Sequence, residues 1–296
     1  KNLSNFTPGM FGYSLLRSSV HSDLYQEILE MSSVMNFSLE GLHTETGPGV
    51  LEAAIGVDET LNSADKAVLF KTFMKVLAQR KNLMATFMAK WSADLPGQSG
   101  HIHLSLKDPQ GNSLFYDPNN KHGISHLQRH FLAGQQRFMP EFLAMIAPTV
   151  NSYSRMVPGL WAPLDATWGV ENRTTALRVI PGSEKSQRIE YRLGAADANP
   201  YLALAAVIAS GLIGIEEQLE PLPQIKGNAY QQSHPAELSL PSTLFEAASR
   251  LQHSKAAIEM FGVDFVDHFS ATRQWEEREY RKHVSDWELN RYFEII

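Results

Sequence analysis

The chain has 296 residues, 26 Lys plus Arg against 32 Asp plus Glu, a net charge of −6 and no cysteine. That excludes a disulfide framework, cysteine zinc sites and cysteine nucleophiles, and the acid excess argues against a general nucleic-acid binder. No apolar run is long enough to span a bilayer, and no apolar stretch follows Lys1-Asn2-Leu3, so neither a membrane span nor a signal peptide is expected and a cytoplasmic location is.

In chain order, Ser22 to Met35 is predicted to be a helix capped by Ser22, with Leu24, Ile28, Met31 and Met35 at helical spacing. Gly41 to Val57 reads as a Gly-Pro-Gly loop (Gly47, Pro48, Gly49) followed by a strand. Asp65 to Gln79 is predicted helical, with Leu69, Phe73, Val76 and Leu77 on one face. Pro96 to Gly100 is a loop, and His101 to Leu106 alternates as a half-buried strand does. Lys121 to Ile146 is expected to be mainly helical and broken at Pro140. Asn151 to Asp165, with Pro158, Gly159 and Pro163, is expected to be loop. Ala176 to Ile180 and Arg188 to Leu193 read as strands joined by a turn at Pro181-Gly182-Ser183. Pro200 to Leu219 is predicted as a buried helix opened by its proline. Glu220 to Leu240 is a proline-bearing loop, and Ser242 to Phe261 and Val266 to Tyr292 are two closing helices. Strands and helices are mixed without regular alternation, which favours an α+β fold.

Four elements could carry chemistry. On a strand, Arg188, Glu190 and Arg192 share one face while Ile189, Tyr191 and Leu193 share the other. Such a face can be solvated surface, or it can line a polar cavity. Glu45 and Glu52 bracket the Gly-Pro-Gly loop; they are either exposed loop carboxylates or a hard-cation site suited to Mg²⁺ or Mn²⁺. His101 and His103 share a strand face, a common but weak metal or phosphate arrangement. Five arginines (Arg155, Arg173, Arg178, Arg188 and Arg192) can bind carboxylate and phosphate bidentately. Together the four describe a site for a divalent cation, phosphates and a small carboxylate, which points to ATP-dependent activation of a carboxylic acid.

The motifs Glu45-Thr-Gly-Pro-Gly-Val-Leu-Glu52, Lys81-Asn-Leu-Met-Ala-Thr-Phe-Met-Ala-Lys90, Gly100-His-Ile-His-Leu-Ser105, Asn151-Ser-Tyr-Ser-Arg-Met-Val-Pro-Gly159, Glu171-Asn-Arg-Thr-Thr-Ala-Leu-Arg178, Lys185-Ser-Gln-Arg-Ile-Glu-Tyr-Arg192 and Asp197-Ala-Asn-Pro-Tyr201 follow one another in the order seen in the glutamine synthetase superfamily. The chain closely resembles that family's catalytic domain over residues 1–296. The resemblance implies a curved antiparallel sheet forming a polar half-barrel, surrounded by helices.

It also implies roles. Glu45 and Glu52 would ligate one divalent ion, and His101 and Glu190 a second beside the ATP phosphates. His103, Ser105, Arg178, Lys185 and Arg188 would line the ATP site. Arg155 and Arg192 would hold the carboxylate of glutamate, with Gly97 near its amino group, and Arg173 and Arg155 would act on the reacting groups. The implied reaction has two steps: γ-glutamyl phosphate forms from glutamate and ATP, and an amine then displaces phosphate. Homo-oligomeric rings, commonly dodecamers with shared active sites, are implied as well.

Three departures bear on this. The family places a glutamate two residues after the Pro-Gly of the arginine loop, where it handles ammonium; here that position is Trp161. An indole cannot accept a proton but offers an apolar or cation–π surface. The expectation is therefore an amine larger than ammonia, as in γ-glutamyl-polyamine and γ-glutamyl-monoamine ligases. Val50 stands where the family usually has glutamine. The family's β-grasp domain and a strand with two further metal-binding glutamates do not precede Lys1, so the chain is expected to be part of a longer protein or to have lost activity. The alternatives are an ammonia-using glutamine synthetase and a catalytically silent structural relative; the retained motifs argue against the latter. Tyr230 falls near a loop that is adenylylated in some bacterial members, but its flanks match poorly.

Overall fold

The computed structural model describes residues 3–158 and 162–295. It is an α+β structure built from a small hairpin, a four-stranded sheet and helices.

Helix α1 (Leu15–Val20) is capped by Ser14 and leads into α2 (Ser22–Val34). The α2 cap position is His21, with Ser22 already inside the helix, so the expected serine cap is not used. Strand β1 (Leu39–Thr44) pairs with β2 (Leu51–Ile55), setting His43 opposite Glu52. The second of these strands is the expected one, whereas part of the first lies where loop was expected. The turn between them is closed by Glu45 N–H to the Val50 carbonyl, 2.9 Å, and by Val50 N–H to the Gly47 carbonyl, 3.1 Å. Gly49 has φ +75°, which favours glycine, and its N–H donates to Thr7 Oγ1 at 2.8 Å.

Helix α3 (Thr60–Arg80) starts earlier than its periodicity suggested, and Leu69, Phe73 and Val76 remain partly exposed. Helix α4 (His126–Ile146), capped by Ser125, runs straight through Pro140. The expected break is absent because α4 lies in the core, with Phe138, Met139, Phe142 and Leu143 buried around the proline. The segment expected to be loop after Asn151 opens with a short helix, α5 (Val150–Arg155), stabilised by a reciprocal capping box between Thr149 and Ser152.

Strands β3 (Ile102–Leu104), β4 (Trp168–Val170), β5 (Leu177–Ile180) and β6 (Arg188–Tyr191) form a sheet in the order β3-β6-β5-β4. The β3–β6 and β6–β5 pairs are antiparallel; the edge pair β5–β4 is parallel. Strand β4 was not foreseen, since three residues give too short a pattern to read.

Helix α6 (Pro200–Glu216) is capped by Asn199, whose side chain accepts from Tyr201 N–H at 3.0 Å. It crosses α4 where Gly134 faces Ser210 and Gly214 so closely that a Cβ on Gly134 would collide with backbone. The two predicted closing helices are four: α7 (Leu244–His253), α8 (Lys255–Phe261), α9 (Val263–Tyr280) and α10 (Asp286–Tyr292). Ser254, Gly262 and Ser285 sit at the breaks and cap or begin the next helix. Leu177, Val179, Ile189 and Tyr191 of the sheet join α4, α6, α7 and α9 in one apolar core. No helix among the described residues is long and apolar enough to cross a membrane.

Candidate active site

The sheet register brings distant charges together. Glu190 stands on β6 between two partner strands, opposite His103 on β3 and opposite Arg178 on β5. Its Oε1 accepts from Arg192 Nη1 at 2.8 Å and lies 3.2 Å from His101 Nδ1. Its Oε2 accepts from Arg178 Nη1 at 3.1 Å. Burial alone would raise the Glu190 carboxyl; His101, Arg192 and His103 outweigh it and hold the group far below the usual carboxylate range. Arg178 reaches Glu171 with its other amino group.

Desolvation lowers the affinity of both histidines for a proton, despite Glu190 pulling the other way. His103 falls to about 4 and His101 is lowered too, so both rings are neutral at physiological pH. His103 has one ring nitrogen engaged, and His101 has both, its Nδ1 set against Glu190. His101 Nε2 meets Ser99 Oγ at 3.0 Å, and His103 Nδ1 accepts from Arg188 Nε at 3.2 Å. A neutral imidazole fixed through its far nitrogen is the usual state of a metal-ligating histidine.

The hairpin supplies a second cluster. His43 Nε2 lies 3.2 Å from Glu45 Oε1 and 3.6 Å from Glu52 Oε2. One ligand atom from each of these three residues falls within 4.8 Å of the others. Burial and the neighbouring Glu45 raise the Glu52 carboxyl. For Glu45 the effect of burial is outweighed by the Thr46 N–H and by Glu52 and His43, and its carboxyl is lowered. Two crowded carboxylates of which one resists ionisation form a donor set that a divalent cation would relieve. Glu190 also raises Glu52, so the two clusters lie within range of each other's charge.

His43 was not foreseen. The signal was present: His43 stands two residues before Glu45, which follows directly on β1, and hairpin pairing brings Glu52 opposite His43. Tyr13 was also missed. Its ring stacks on His43 with centroids 4.6 Å apart, and its hydroxyl interacts with Glu45. Its φ of +56° and the bond from its N–H to the Thr44 carbonyl, 2.7 Å, hold it there.

Arg155 and Arg192 are both buried. Arg155 donates to the Leu193 carbonyl at 3.1 Å and to the Arg192 carbonyl at 3.3 Å. Burial, then the charge of Arg192, pulls the Arg155 guanidinium down to about 10. Gly97 packs on it: a Cβ at Gly97 would stand 2.7 Å from Arg155 Cγ. Arg173 and Lys185 are exposed, and Arg173 acts on Tyr13 through its charge. Ser105 is exposed just past β3. Trp161 lies outside the described residues.

Residues 5–292 match the family model for the glutamine synthetase catalytic domain. Type-1 glutamine synthetase 2 of Dictyostelium discoideum is 47% identical over 302 residues, covering 100% of this chain and 58% of the relative. A glutamate–isopropylamine ligase from a Pseudomonas species is 39% identical over 284 residues, covering 96% of this chain and 62% of the relative. The solved structure described as a GmaS/ADP complex in its first conformation superposes with a TM-score of 0.88 at 31% identity, over 97% of this chain and 67% of that one. The chain thus spans about three fifths of the length of the curated relatives it matches.

Proposed function

The chain belongs to the glutamine synthetase catalytic-domain family, and from that premise we propose that it carries the catalytic part of an ATP-dependent ligase joining the γ-carboxyl of glutamate to an amine. The observation that carries this reading is the meeting of two acidic clusters with a set of arginines. His43, Glu45 and Glu52 form one cluster, and His101 and Glu190, with Arg178 and Arg192, form the other, the charge of Glu190 reaching Glu52.

The residues fit divalent cations. Glu45 and Glu52, with His43 beside them, would hold one, and His101 and Glu190 would contribute to holding a second. Such ions, Mg²⁺ or Mn²⁺, supply charge neutralisation on phosphate oxygens. The remaining work belongs to the chain's own side chains. Arg155 and Arg192 fix the carboxylate of glutamate, with Gly97 leaving room beside Arg155. Arg178, Arg188, Lys185, His103 and Ser105 line the ATP phosphates. Arg173 faces the oxygens of the phosphoryl group as the γ-carboxylate attacks and ADP leaves. The amine then displaces phosphate from γ-glutamyl phosphate. Developing charge sits on oxygens throughout, which is where fixed guanidinium donors lower a barrier most.

For the amine, Trp161 in place of the expected glutamate supports a nucleophile larger than ammonia. Two curated relatives carry such names: the isopropylamine ligase and a γ-glutamylethanolamide synthetase of Streptomyces coelicolor, 39% identical over 282 residues. The 47% identity to a type-1 glutamine synthetase favours ammonia as the second reading. The test is glutamate- and ATP-dependent phosphate release by the full natural protein, offering ammonium, methylamine, isopropylamine, ethanolamine, putrescine and spermidine in turn. Best turnover with an alkylamine is expected. Best turnover with ammonium returns the protein to glutamine synthesis, and none with any amine overturns the ligase reading. Trp161→Glu is expected to shift preference toward ammonium.

A further inference from the structure

The turn around Tyr230 is held to the segment that carries Arg173. Asn172 Nδ2 donates to the Gly227 carbonyl at 2.8 Å, and Ala229 N–H donates to Thr174 Oγ1 at 2.9 Å. Asn228 caps the short 3₁₀ turn Ala229–Gln231 by accepting from Tyr230 N–H at 3.0 Å. Gln232 Nε2 bonds back to the Lys226 carbonyl at 2.9 Å and the Asn228 carbonyl at 3.1 Å. With its backbone tied from both sides, Tyr230 points its hydroxyl inward. The hydroxyl oxygen is out of reach of solvent and has no hydrogen-bond partner among the described residues.

A buried hydroxyl without a partner is costly, so it marks a place where a partner arrives. The charges that act on Tyr230 are those of Arg192 and Arg155. Both arginines are buried, and the Arg192 Nε is itself buried without a partner among the described residues. Arg155 has only backbone carbonyls as hydrogen-bond partners among the described residues. The region therefore holds two guanidinium groups and two unused donors, and its one carboxylate, Glu190, is taken up by Arg178, His101 and Arg192 Nη1. Arg155 and these two donors have no anionic acceptor among the described residues. Burial keeps the Tyr230 hydroxyl above its ordinary value against the pull of the arginines, so it is a donor at neutral pH.

We propose that Tyr230 is a third ligand of the substrate carboxylate held by Arg155 and Arg192, donating its hydroxyl to a carboxylate oxygen. The proposal rests on the glutamate-binding reading above and adds a binding residue to it. Planar arginine forks leave carboxylate lone pairs free, and a phenol donor at a fixed distance selects an amino acid seated at one depth.

The test is Tyr230→Phe in the full natural protein, which removes one oxygen and keeps the ring. Glutamate affinity by calorimetry and the KM for glutamate are expected to weaken about tenfold, the size of one hydrogen bond to a charged group. The KM for ATP and kcat should change by less than about twofold. Near-ultraviolet difference spectra should show a tyrosine perturbation when glutamate is added to wild type that the variant lacks, and this reading needs no turnover. An unchanged KM for glutamate together with an unchanged difference spectrum overturns the proposal, as does a parallel rise in the KM for ATP. If wild type is active and the variant behaves identically, the proposal alone falls. If wild type binds no glutamate, the ligase reading falls with it.

Discussion

Glu190 shows how much one carboxylate can organise. Three basic side chains reach it from different directions: His101 just before β3, Arg178 from β5, and Arg192 two residues on along its own run. Each oxygen has a guanidinium donor, which is what makes so buried a charge tolerable. His43 plays the same part for the hairpin carboxylates. His43→Asn should weaken Mn²⁺ binding about tenfold, measured by titration of the protein with the metal in the absence of nucleotide. Affinity equal to wild type would show that Glu45 and Glu52 hold the cation unaided. The residue types of this site were legible in the sequence, because period-two spacing put Arg188, Glu190 and Arg192 on one face and His101 and His103 on another. Their pairing was not legible. Register is a tertiary quantity, and nothing in the local pattern says that Glu190 lies opposite both His103 and Arg178. Tyr13 was hidden for the same reason: its role comes from a backbone turn that lays its ring on His43.

At the scale of elements, the misplaced helices share a physical cause. Pro140 leaves α4 unbroken because packing of its buried face offsets the lost hydrogen bond, and the loop-like composition after Asn151 is overruled by the Thr149–Ser152 capping box. The closing helices divide where Ser254, Gly262 and Ser285 offer cap geometry, a feature shorter than the periodicity used to find them. Caps also set a pH dependence. In α7 the Glu246 carboxylate accepts from Ser242 N–H at 3.0 Å and from Arg250 Nη2 at 2.7 Å. Burial would raise the carboxyl, but the Ser242 N–H and Arg250 outweigh it and the group is lowered. A lowered carboxyl stabilises the fold above its unfolded value, and the contribution is lost as pH falls through the folded one. Glu246→Gln should therefore lower the melting temperature by about 2 °C at pH 7, the small size reflecting its partial exposure. Thermal scans from pH 7 down to pH 3.5 should show the two proteins converging as the pH drops below 4.5. A gap that stays constant with pH would mean that the carboxylate charge contributes nothing to α7.

Over the whole molecule, the net charge of −6 conceals a gathering of guanidinium groups, since Arg155, Arg178 and Arg192 come together at the site around Glu190. Composition could not reveal this, because it averages over surface and pocket alike. The apolar surface is similarly uneven. Val284, Trp287, Leu289, Tyr292, Phe293 and Ile295 are all exposed on or beside α10, with Trp287 at 64% and Phe293 at 81%. Trp275 and Tyr280 of α9 are exposed too. Large apolar side chains gathered on one short stretch are the mark of an interface, and the Trp287 and Tyr292 rings are already packed edge to face, 5.7 Å apart, in a preformed knob. This is the surface expected to join copies in the homo-oligomeric rings that the family resemblance implies. Light scattering coupled to size exclusion should give the full natural protein a mass of many subunits. Trp287→Glu combined with Phe293→Glu should reduce that mass to a smaller species while leaving the far-ultraviolet circular dichroism unchanged, because neither side chain contributes to the buried core. An assembly of unaltered mass in the double variant would place the subunit contacts on another face of the molecule.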